Sequence, residues 1–183
     1  MKTSHTLSDR ILHWSLAFAI LFILLTVFLR LNWMEKNHVA AILMDKLSAI
    51  DISITMEEAI KIAKQIRKPM FDWHIYIGYV ASGIFALRIL YNFLHKEMYN
   101  PKTTKEKFQL WVYRTFYVLL GVTLITGLYM EFGPNILNDL SEDIHKLTLY
   151  YVIPFLIIHF AGILIAKFTN KKGIVSKMIG GGQ

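Results

Sequence analysis

The stretch DIHKLTLYYVIPFLIIHFAGILIAK, residues Asp143–Lys167, is an apolar run long enough to cross a bilayer. It carries two histidines, His145 and His159, which are fourteen residues apart. In a helix this separation is roughly 1400° of rotation and ~21 Å along the axis, so both rings leave the same face. One metal ion cannot be bound by both side chains. The spacing instead favours two metal centres, one near each membrane surface.

The composition is that of a membrane protein. The chain has 183 residues, 55% of them hydrophobic, and its mean hydropathy is +0.42. The absence of cysteine excludes disulfides, iron–sulfur clusters, thiolate-rich zinc sites and covalently attached c-type haem. The net charge is +7, but much of it lies in loops beside apolar runs. We therefore attribute the charge to membrane topology and expect no nucleic-acid partner.

Four apolar segments predict an all-α membrane protein, a bundle of four transmembrane helices within a single domain covering 1–183. The predicted helices are about 11–31, 70–94, 110–130 and 144–168. The first is expected to be retained, because Arg30 and Trp33 follow it in place of the small-residue cleavage site of a signal peptide. Pro154 interrupts the fourth, and a membrane helix tolerates a proline when neighbours satisfy the freed carbonyl.

The long first loop, residues 32–69, is expected to contain extra amphipathic helices outside the membrane. Apolar residues recur there at helical spacing: Val39, Ile42, Leu43, Leu47 and Ile50. Thr55 followed by Glu58 predicts a capping box that opens a second helix, Met56–Lys68, closed by Pro69. These helices either lie on the membrane surface, dock a partner or cap the bundle, and the sequence leaves these alternatives open.

Loop charges predict the orientation. The N-terminus, the loop 95–109 and the C-terminal tail carry the basic excess, whereas the loop 131–143 has acidic residues and neither lysine nor arginine. Basic loops stay on the cytoplasmic side, so both termini are expected there.

This topology sorts four histidines into two pairs by depth. His74 and His145 open their helices on the outer side, whereas His13 and His159 lie in the inner halves of theirs. The inner match is looser, because His13 is ~10 Å and His159 ~5 Å from the middle of its span. Zinc requires three or four protein ligands, whereas two trans imidazoles complete a six-coordinate haem. Four such histidines favour two haems over the alternative of simple hydrogen bonds between helices.

Other polar residues have open interpretations. Arg88 needs a partner in or near the membrane, and either a haem propionate or the lipid headgroups can supply it. His5 and His38 lie outside the spans and are expected to be solvated. His95 follows the second span closely and competes for the inner site.

Several stretches together resemble a known family. They are RILHW (Arg10–Trp14), DWHIYIGY (Asp72–Tyr79), FALRIL with Arg88, GVTLITGLY in the third span, and the His145/His159 pair. In these the chain resembles the bacterial cytochrome b561 and nickel–iron hydrogenase b-type cytochrome family. The resemblance implies two non-covalent b haems in a four-helix bundle, the inner one on His13 and His159 and the outer one on His74 and His145.

The resemblance also implies a function in the bacterial inner membrane. Members of the family pass electrons between the quinone pool and a hydrogenase, another dehydrogenase or a c-type cytochrome, and no catalytic residue is implied. A second hypothesis is a stand-alone quinone-linked oxidase of superoxide, with a cationic helix face to attract the anion: Lys61, Lys64, Arg67 and Lys68. A third is a haem-free membrane anchor. No sequence signature locates the quinone.

Overall fold

The computed structural model describes residues 6–95 and 103–168, and these ranges are helical without any strand. The helices are α1 (Leu7–Leu31), α2 (Lys36–Ser48), α3 (Met56–Ile66), α4 (Lys68–Leu94), α5 (Thr104–Phe132), a 3₁₀ turn (Asn135–Leu137), α6 (Asn138–Lys146) and α7 (Thr148–Phe168). The predicted all-α class, with additional helices in the first loop, is confirmed.

Four helical segments are long and apolar enough to cross a membrane, as the sequence predicts. They are Leu7–Leu31, Lys68–Leu94, Glu106–Phe132 and Asn135–Ile165. The fourth is not one uninterrupted helix, since α6 ends at Lys146 and α7 begins at Thr148. Pro154 lies inside α7 without ending it. The interruption of the fourth span therefore lies at Leu147, two residues after His145, and not at the proline.

The described chain divides into two compact units. One, here called the loop unit, is Leu16–Ala81; the other, the terminal unit, comprises the described residues 6–15, 82–95 and 103–168. Helices α1 and α4 contribute to both units. In the terminal unit, α5 packs against α6 and α7.

In the loop unit, α2 and α3 form a hairpin. Small side chains let the two helices approach closely, because Ala40, Ala59 and Ala63 are buried completely at their contact. The predicted capping box is confirmed: the Glu58 backbone N–H donates to Thr55 Oγ1 (3.3 Å), and the Thr55 N–H donates to the Glu58 carboxylate (2.8 Å).

The ends of the hairpin follow from local chemistry. Glu35 caps α2 by accepting hydrogen bonds from the backbone N–H groups of Asn37 and His38 (2.8 and 3.0 Å). Asp51, in the turn that follows, has φ 59°, a left-handed conformation that aspartate tolerates better than most residues. The predicted end of the second helix is wrong: α3 ends at Ile66, and Pro69 lies in the first turn of α4, where its missing N–H costs no helical hydrogen bond.

Aromatic and hydroxyl side chains connect the helices of the terminal unit. Phe116 on α5 stacks on Phe155 of α7 with ring centres 3.6 Å apart. Seven residues further along α5, the Thr123 hydroxyl hydrogen-bonds the Thr148 hydroxyl (2.8 Å) and that of Tyr151. Tyr151 in turn donates to the Leu119 carbonyl (2.9 Å), so the single hydrogen of the Thr123 hydroxyl is shared between the oxygens of Thr148 and Tyr151. These contacts fix α7 against α5 and so determine where the two histidines of the fourth span lie.

Candidate functional site

Two of the predicted ligands, His13 and His159, lie together in the terminal unit. Their ring centres are 6.3 Å apart, and their planes are inclined by 50°. Metal–imidazole bonds are about 2 Å long, so two imidazoles on opposite sides of one iron have ring centres about 6 Å apart. The observed separation is therefore compatible with ligation of a single iron by both rings. The difference in estimated depth does not keep the two side chains apart.

Aromatic side chains hold the ring of His159. Phe155, one turn earlier on α7, stacks on it with centres 5.7 Å apart and planes within 15°. Tyr113 of α5 lies edge-on to it, and the tyrosine hydroxyl is 3.4 Å from Nδ1. On the other helix, His13 packs edge-to-face on Trp14. Packing between aromatic rings therefore surrounds both His13 and His159.

Hydrogen bonds hold the ring of His145, near the end of α6. Its Nδ1 is 3.0 Å from the backbone carbonyl of Thr123 and 3.4 Å from the hydroxyl of Thr126. A carbonyl only accepts, so Nδ1 is the protonated nitrogen and the lone pair lies on Nε2. Histidines that ligate metals are commonly oriented in this way by a carbonyl on the opposite nitrogen.

In the loop unit, His74 has the same tautomer for a different reason. Its Nδ1 lies 2.7 Å from the hydroxyl of Thr26. That hydroxyl donates its only hydrogen to the Ile23 carbonyl (2.6 Å), so towards His74 it acts as an acceptor. Nδ1 therefore donates, and Nε2 again carries the lone pair. His74 and His145 belong to different units, and their pairing stays a prediction.

Arg88 lies on α4 within the terminal unit, half-buried. Its Nε donates to the hydroxyl of Tyr117 on α5, and the guanidinium lies 5.9 Å from the centre of the tyrosine ring. Nη1 is buried and has no hydrogen-bond partner among the described residues. A buried cationic donor without a partner is costly, so this nitrogen fits an acidic group that residues 6–95 and 103–168 do not provide.

The other histidines differ in their surroundings. His38 is exposed on α2, and His95 is exposed after α4, where it stacks on Tyr91 with ring centres 4.3 Å apart. His5 lies outside the described residues. Within the described ranges, no cluster of three or more histidine, aspartate or glutamate side chains is arranged to hold a metal ion.

An apolar cleft lies between the start of α1 and the end of α4. It has a volume of about 400 Å³ and is lined by Ser8, Ile11, Leu12, Leu87, Leu90, Tyr91 and Leu94. Leu12 precedes His13 in the chain, and Leu87 precedes Arg88. The cleft therefore lies at the level of His13 along α1 and of Arg88 along α4.

A family model described as prokaryotic cytochrome b561 matches residues 4–181 of the chain. The chain belongs to the prokaryotic cytochrome b561 family. No curated protein and no solved structure gives a significant match to it. The match extends through both units and all four candidate spans. It identifies the protein as a membrane-bound b-type cytochrome that takes part in electron transfer, and the resemblance noted in the sequence is confirmed.

The residues of this cytochrome fit a b-type haem. The His13–His159 separation suits two axial imidazoles, and the Arg88 guanidinium presents a buried nitrogen to an acidic group. Sequence reasoning did not single out the side chains that surround the candidate residues, which are Thr26 in the loop unit and Tyr113, Tyr117, Thr123, Thr126 and Phe155 in the terminal unit. A signal exists for those that carry a hydroxyl, since hydroxyls inside apolar helices require hydrogen-bond partners. Identifying the partners requires the three-dimensional structure.

Proposed function

We propose that the chain is a di-haem b cytochrome that transfers electrons between the quinone pool and a redox partner protein. His13 and His159 would ligate one haem, and His74 and His145 the other. The observation that carries the proposal is the approach of the His13 and His159 rings to 6.3 Å, from two helices that are far apart in sequence.

The second ligand pair is supported by the tautomers of its members. His74 and His145 each donate from Nδ1, to the Thr26 hydroxyl and to the Thr123 carbonyl. Each ring therefore presents an unprotonated Nε2, which is the form of imidazole that ligates iron. The depth of the two residues in their spans favours pairing them with each other.

The protein's own residues hold and orient the cofactor, and they exclude competing reactions. When bound, haem b would supply a reversible one-electron carrier. The two histidine pairs would hold its iron. Arg88 would donate a charge-assisted hydrogen bond to an acidic group of the haem, and Tyr117 holds the guanidinium in place. The apolar side chains around these groups keep water away.

We place the quinone at the apolar cleft beside α1 and α4. The cleft is apolar and open on one side, and most of the side chains that line it are exposed. The hydroxyl of Tyr91, at its wall, is hydrogen-bonded to that of Thr6 (2.7 Å) and offers a polar contact. Quinone would reach the cleft from the lipid. Replacing Leu90 by Trp should fill this space and lower the apparent affinity for quinone, without changing haem content.

The proposed membrane location and orientation rest on the charges of the loops and on the family to which the chain belongs. We propose a bacterial inner membrane, with both termini in the cytoplasm and the α2–α3 hairpin outside it. The two units would act as one cytochrome domain, since a single family model spans them. The partner would be a hydrogenase, another dehydrogenase or a c-type cytochrome.

The alternative of a superoxide oxidase gains no support from the cationic face of the first loop. Lys61 is paired with Glu57 (2.8 Å), and Lys68 is paired with Asp72 (2.9 Å). Two of the four cations suggested as an anion-attracting surface are thus neutralised locally. Mixing the purified cytochrome with superoxide and quinone tests this alternative directly, and quinone reduction above background would favour it.

Visible spectroscopy and haem quantification test the main proposal. The purified membrane protein should show b-type bands on reduction and about two non-covalent haems per chain. Electron paramagnetic resonance of the oxidised protein should show low-spin, bis-histidine iron. A preparation without b-type bands would support the haem-free anchor, and a stoichiometry of one haem would exclude a ligand pair.

A further inference from the structure

Helix α5 contains no histidine, yet its segment Thr123–Gly127 surrounds the ring of His145. The Thr123 carbonyl and the Thr126 hydroxyl both face Nδ1, at 3.0 and 3.4 Å. Both threonines are buried. We call Thr123–Gly127 the α5 socket. It lies in the terminal unit, together with His145.

The socket is shaped for the ring by the absence of a side chain at Gly127. A Cβ built at this position would lie 3.1 Å from Cε1 of His145 and 3.5 Å from its Nδ1. The shorter distance is tighter than an ordinary carbon–carbon contact, so the ring would have to move by a few tenths of an ångström. Cε1 lies between the two ring nitrogens, and such a shift therefore also moves Nε2.

Gly127 also opens the carbonyl to which the ring is bound. Helical side chains tilt towards the N-terminus, so a side chain at position 127 would lie over the turn that contains the Thr123 carbonyl. Gly127 leaves this carbonyl accessible to a donor from another helix. His145 Nδ1 uses that access, in addition to the Thr126 hydroxyl, which donates to the same oxygen (2.9 Å).

The socket is rigid because it is joined to the fourth span just after His145. The Thr123 hydroxyl donates its single hydrogen towards the oxygens of Thr148 and Tyr151, and the Thr148 hydroxyl donates to the His145 carbonyl (2.5 Å). These bonds bridge the break between α6 and α7. The orientation of His145 is therefore determined by α5 as well as by its own helix.

We propose that the α5 socket is a positioning site for His145, with Gly127 supplying the space and the Thr123 carbonyl fixing the Nδ1–H tautomer. The inference rests on the proposed function, in which His145 is an axial ligand. A donor bond from Nδ1 to a carbonyl makes the imidazole more basic and so stabilises the oxidised iron. Loosening the socket should weaken retention of this haem and raise its reduction potential.

The test compares Gly127→Ala with Gly121→Ala, a change of the same chemistry on the same helix. A Cβ at Gly121 would meet only ring carbons of Phe85, at an ordinary 3.5–3.6 Å. Both changes favour the helix, so expression and membrane insertion should be retained. We expect Gly127→Ala to weaken retention of one haem by ~10- to 100-fold, as is typical when a group that orients a metal ligand is changed. Potentiometric titration should show a more positive reduction potential for that haem alone. Gly121→Ala should change neither the retention nor the reduction potential of either haem.

Thr126→Val is an independent test, in which the reduction potential of the haem should shift in the opposite direction. It keeps the shape of the side chain but removes the hydroxyl that shares the Thr123 carbonyl with His145. The carbonyl then accepts more strongly from Nδ1, so the potential of the same haem should move in the negative direction. A purely structural role of α5 would not give opposite shifts in the two variants.

The outcomes separate this inference from the proposed function. If His145→Ala leaves the haem content unchanged, His145 is not a ligand and the proposed function is wrong at this site. If His145→Ala removes one haem, the assignment of His145 as a ligand is supported. If in that case Gly127→Ala behaves like Gly121→Ala and Thr126→Val leaves the reduction potential unchanged, the α5 socket does not position His145 and this inference is wrong.

Discussion

The α2–α3 hairpin and the membrane spans use polar and apolar side chains in opposite ways. In the hairpin, alanines form the contact between the helices, and Ala59 is completely buried. The charged side chains of Glu57 and Lys61 are on the surface, where they pair with each other at 2.8 Å. This is the arrangement of an amphipathic helical hairpin.

In the spans the pattern is reversed. Phe18 and Ile125 are 64% and 67% exposed, as suits helices that face lipid, whereas Thr26 and Thr123 are 4% and 8% exposed. The buried hydroxyl of Thr26 and the carbonyl of Thr123 orient histidines. Because lipid offers no hydrogen bonds, polar groups gather inside the spans and bond one another. Changes to these groups should alter haem properties, while changes in the hairpin should leave them intact.

Removing a histidine of a span should have the largest effect. His159→Ala and His145→Ala should each remove about half of the haem, because each ring supplies one of two axial ligands. The two variants should retain haems with different spectra and potentials, since ring packing surrounds His159 and hydrogen bonds surround His145. Haem quantification and redox titration of the purified variants provide the measurement.

His38→Ala is the matched control in the hairpin, where the ring is exposed. It should keep both haems. If this variant lost haem, or if His159→Ala and His145→Ala lost the same haem, the contrast between the two regions and the proposed ligand pairing would both fail.

Arg88→Gln should have the next largest effect. It removes the charge that the buried Nη1 presents, and hydrogen bonds to charged groups are worth about 1.5–3 kcal/mol. That corresponds to roughly 10- to 100-fold weaker retention of the haem at His13 and His159. Competition with apomyoglobin measures this loss. Arg67→Gln, at the end of α3, removes the same kind of side chain outside the spans. It should leave the rate of haem transfer to apomyoglobin unchanged.

The sequence predicts the four spans correctly, because length and hydropathy determine them. It also predicts the capping box of Thr55 and Glu58, because that motif is local. It also selected His13 and His159, which the structure brings together. The break at Leu147 was not foreseen, since Pro154 was the only obvious irregularity of the fourth span. The hydrogen bond that joins α6 and α5 at this break depends on packing.

The surroundings of the histidines could not be read from the sequence either. Gly127 and Thr123 belong to a stretch, GVTLITGLY, that helped to recognise the family. No local rule connects residues of α5 to His145, because the contact spans about twenty positions and depends on how two helices pack. For Arg88 the sequence allows either a haem propionate or the lipid headgroups as partner, and the structure adds that Nη1 is buried without a hydrogen-bond partner among the described residues.

Phe155→Leu tests the aromatic packing that distinguishes His159 from His145. Phe155 stacks on both Phe116 and His159, and such pairs contribute about 0.5–1.5 kcal/mol beyond burial. The variant should retain haem but release it at a temperature a few degrees lower, as followed by absorbance on heating. Phe168→Leu, at the exposed end of the same helix, is the control. Equal release temperatures in the two variants would show that the stack does not support this site.

The smallest expected effect is a loss of stability of the α2–α3 hairpin at low pH. The backbone and side-chain hydrogen bonds from Thr55 hold the pKa of the Glu58 carboxyl below its usual value of 4.5. A lowered pKa in the folded state means that this contribution to stability is complete above pH 4.5 and is lost as the pH falls through the folded-state value. Glu58→Gln keeps an acceptor at the same position of the capping box but cannot be protonated. Hydrogen exchange of α3 amides should therefore accelerate in acid more for the native chain than for Glu58→Gln, compared at equal pH. Both proteins should keep their haems throughout, and acid loss of haem that Glu58→Gln prevents would mean that the hairpin supports the haem sites after all.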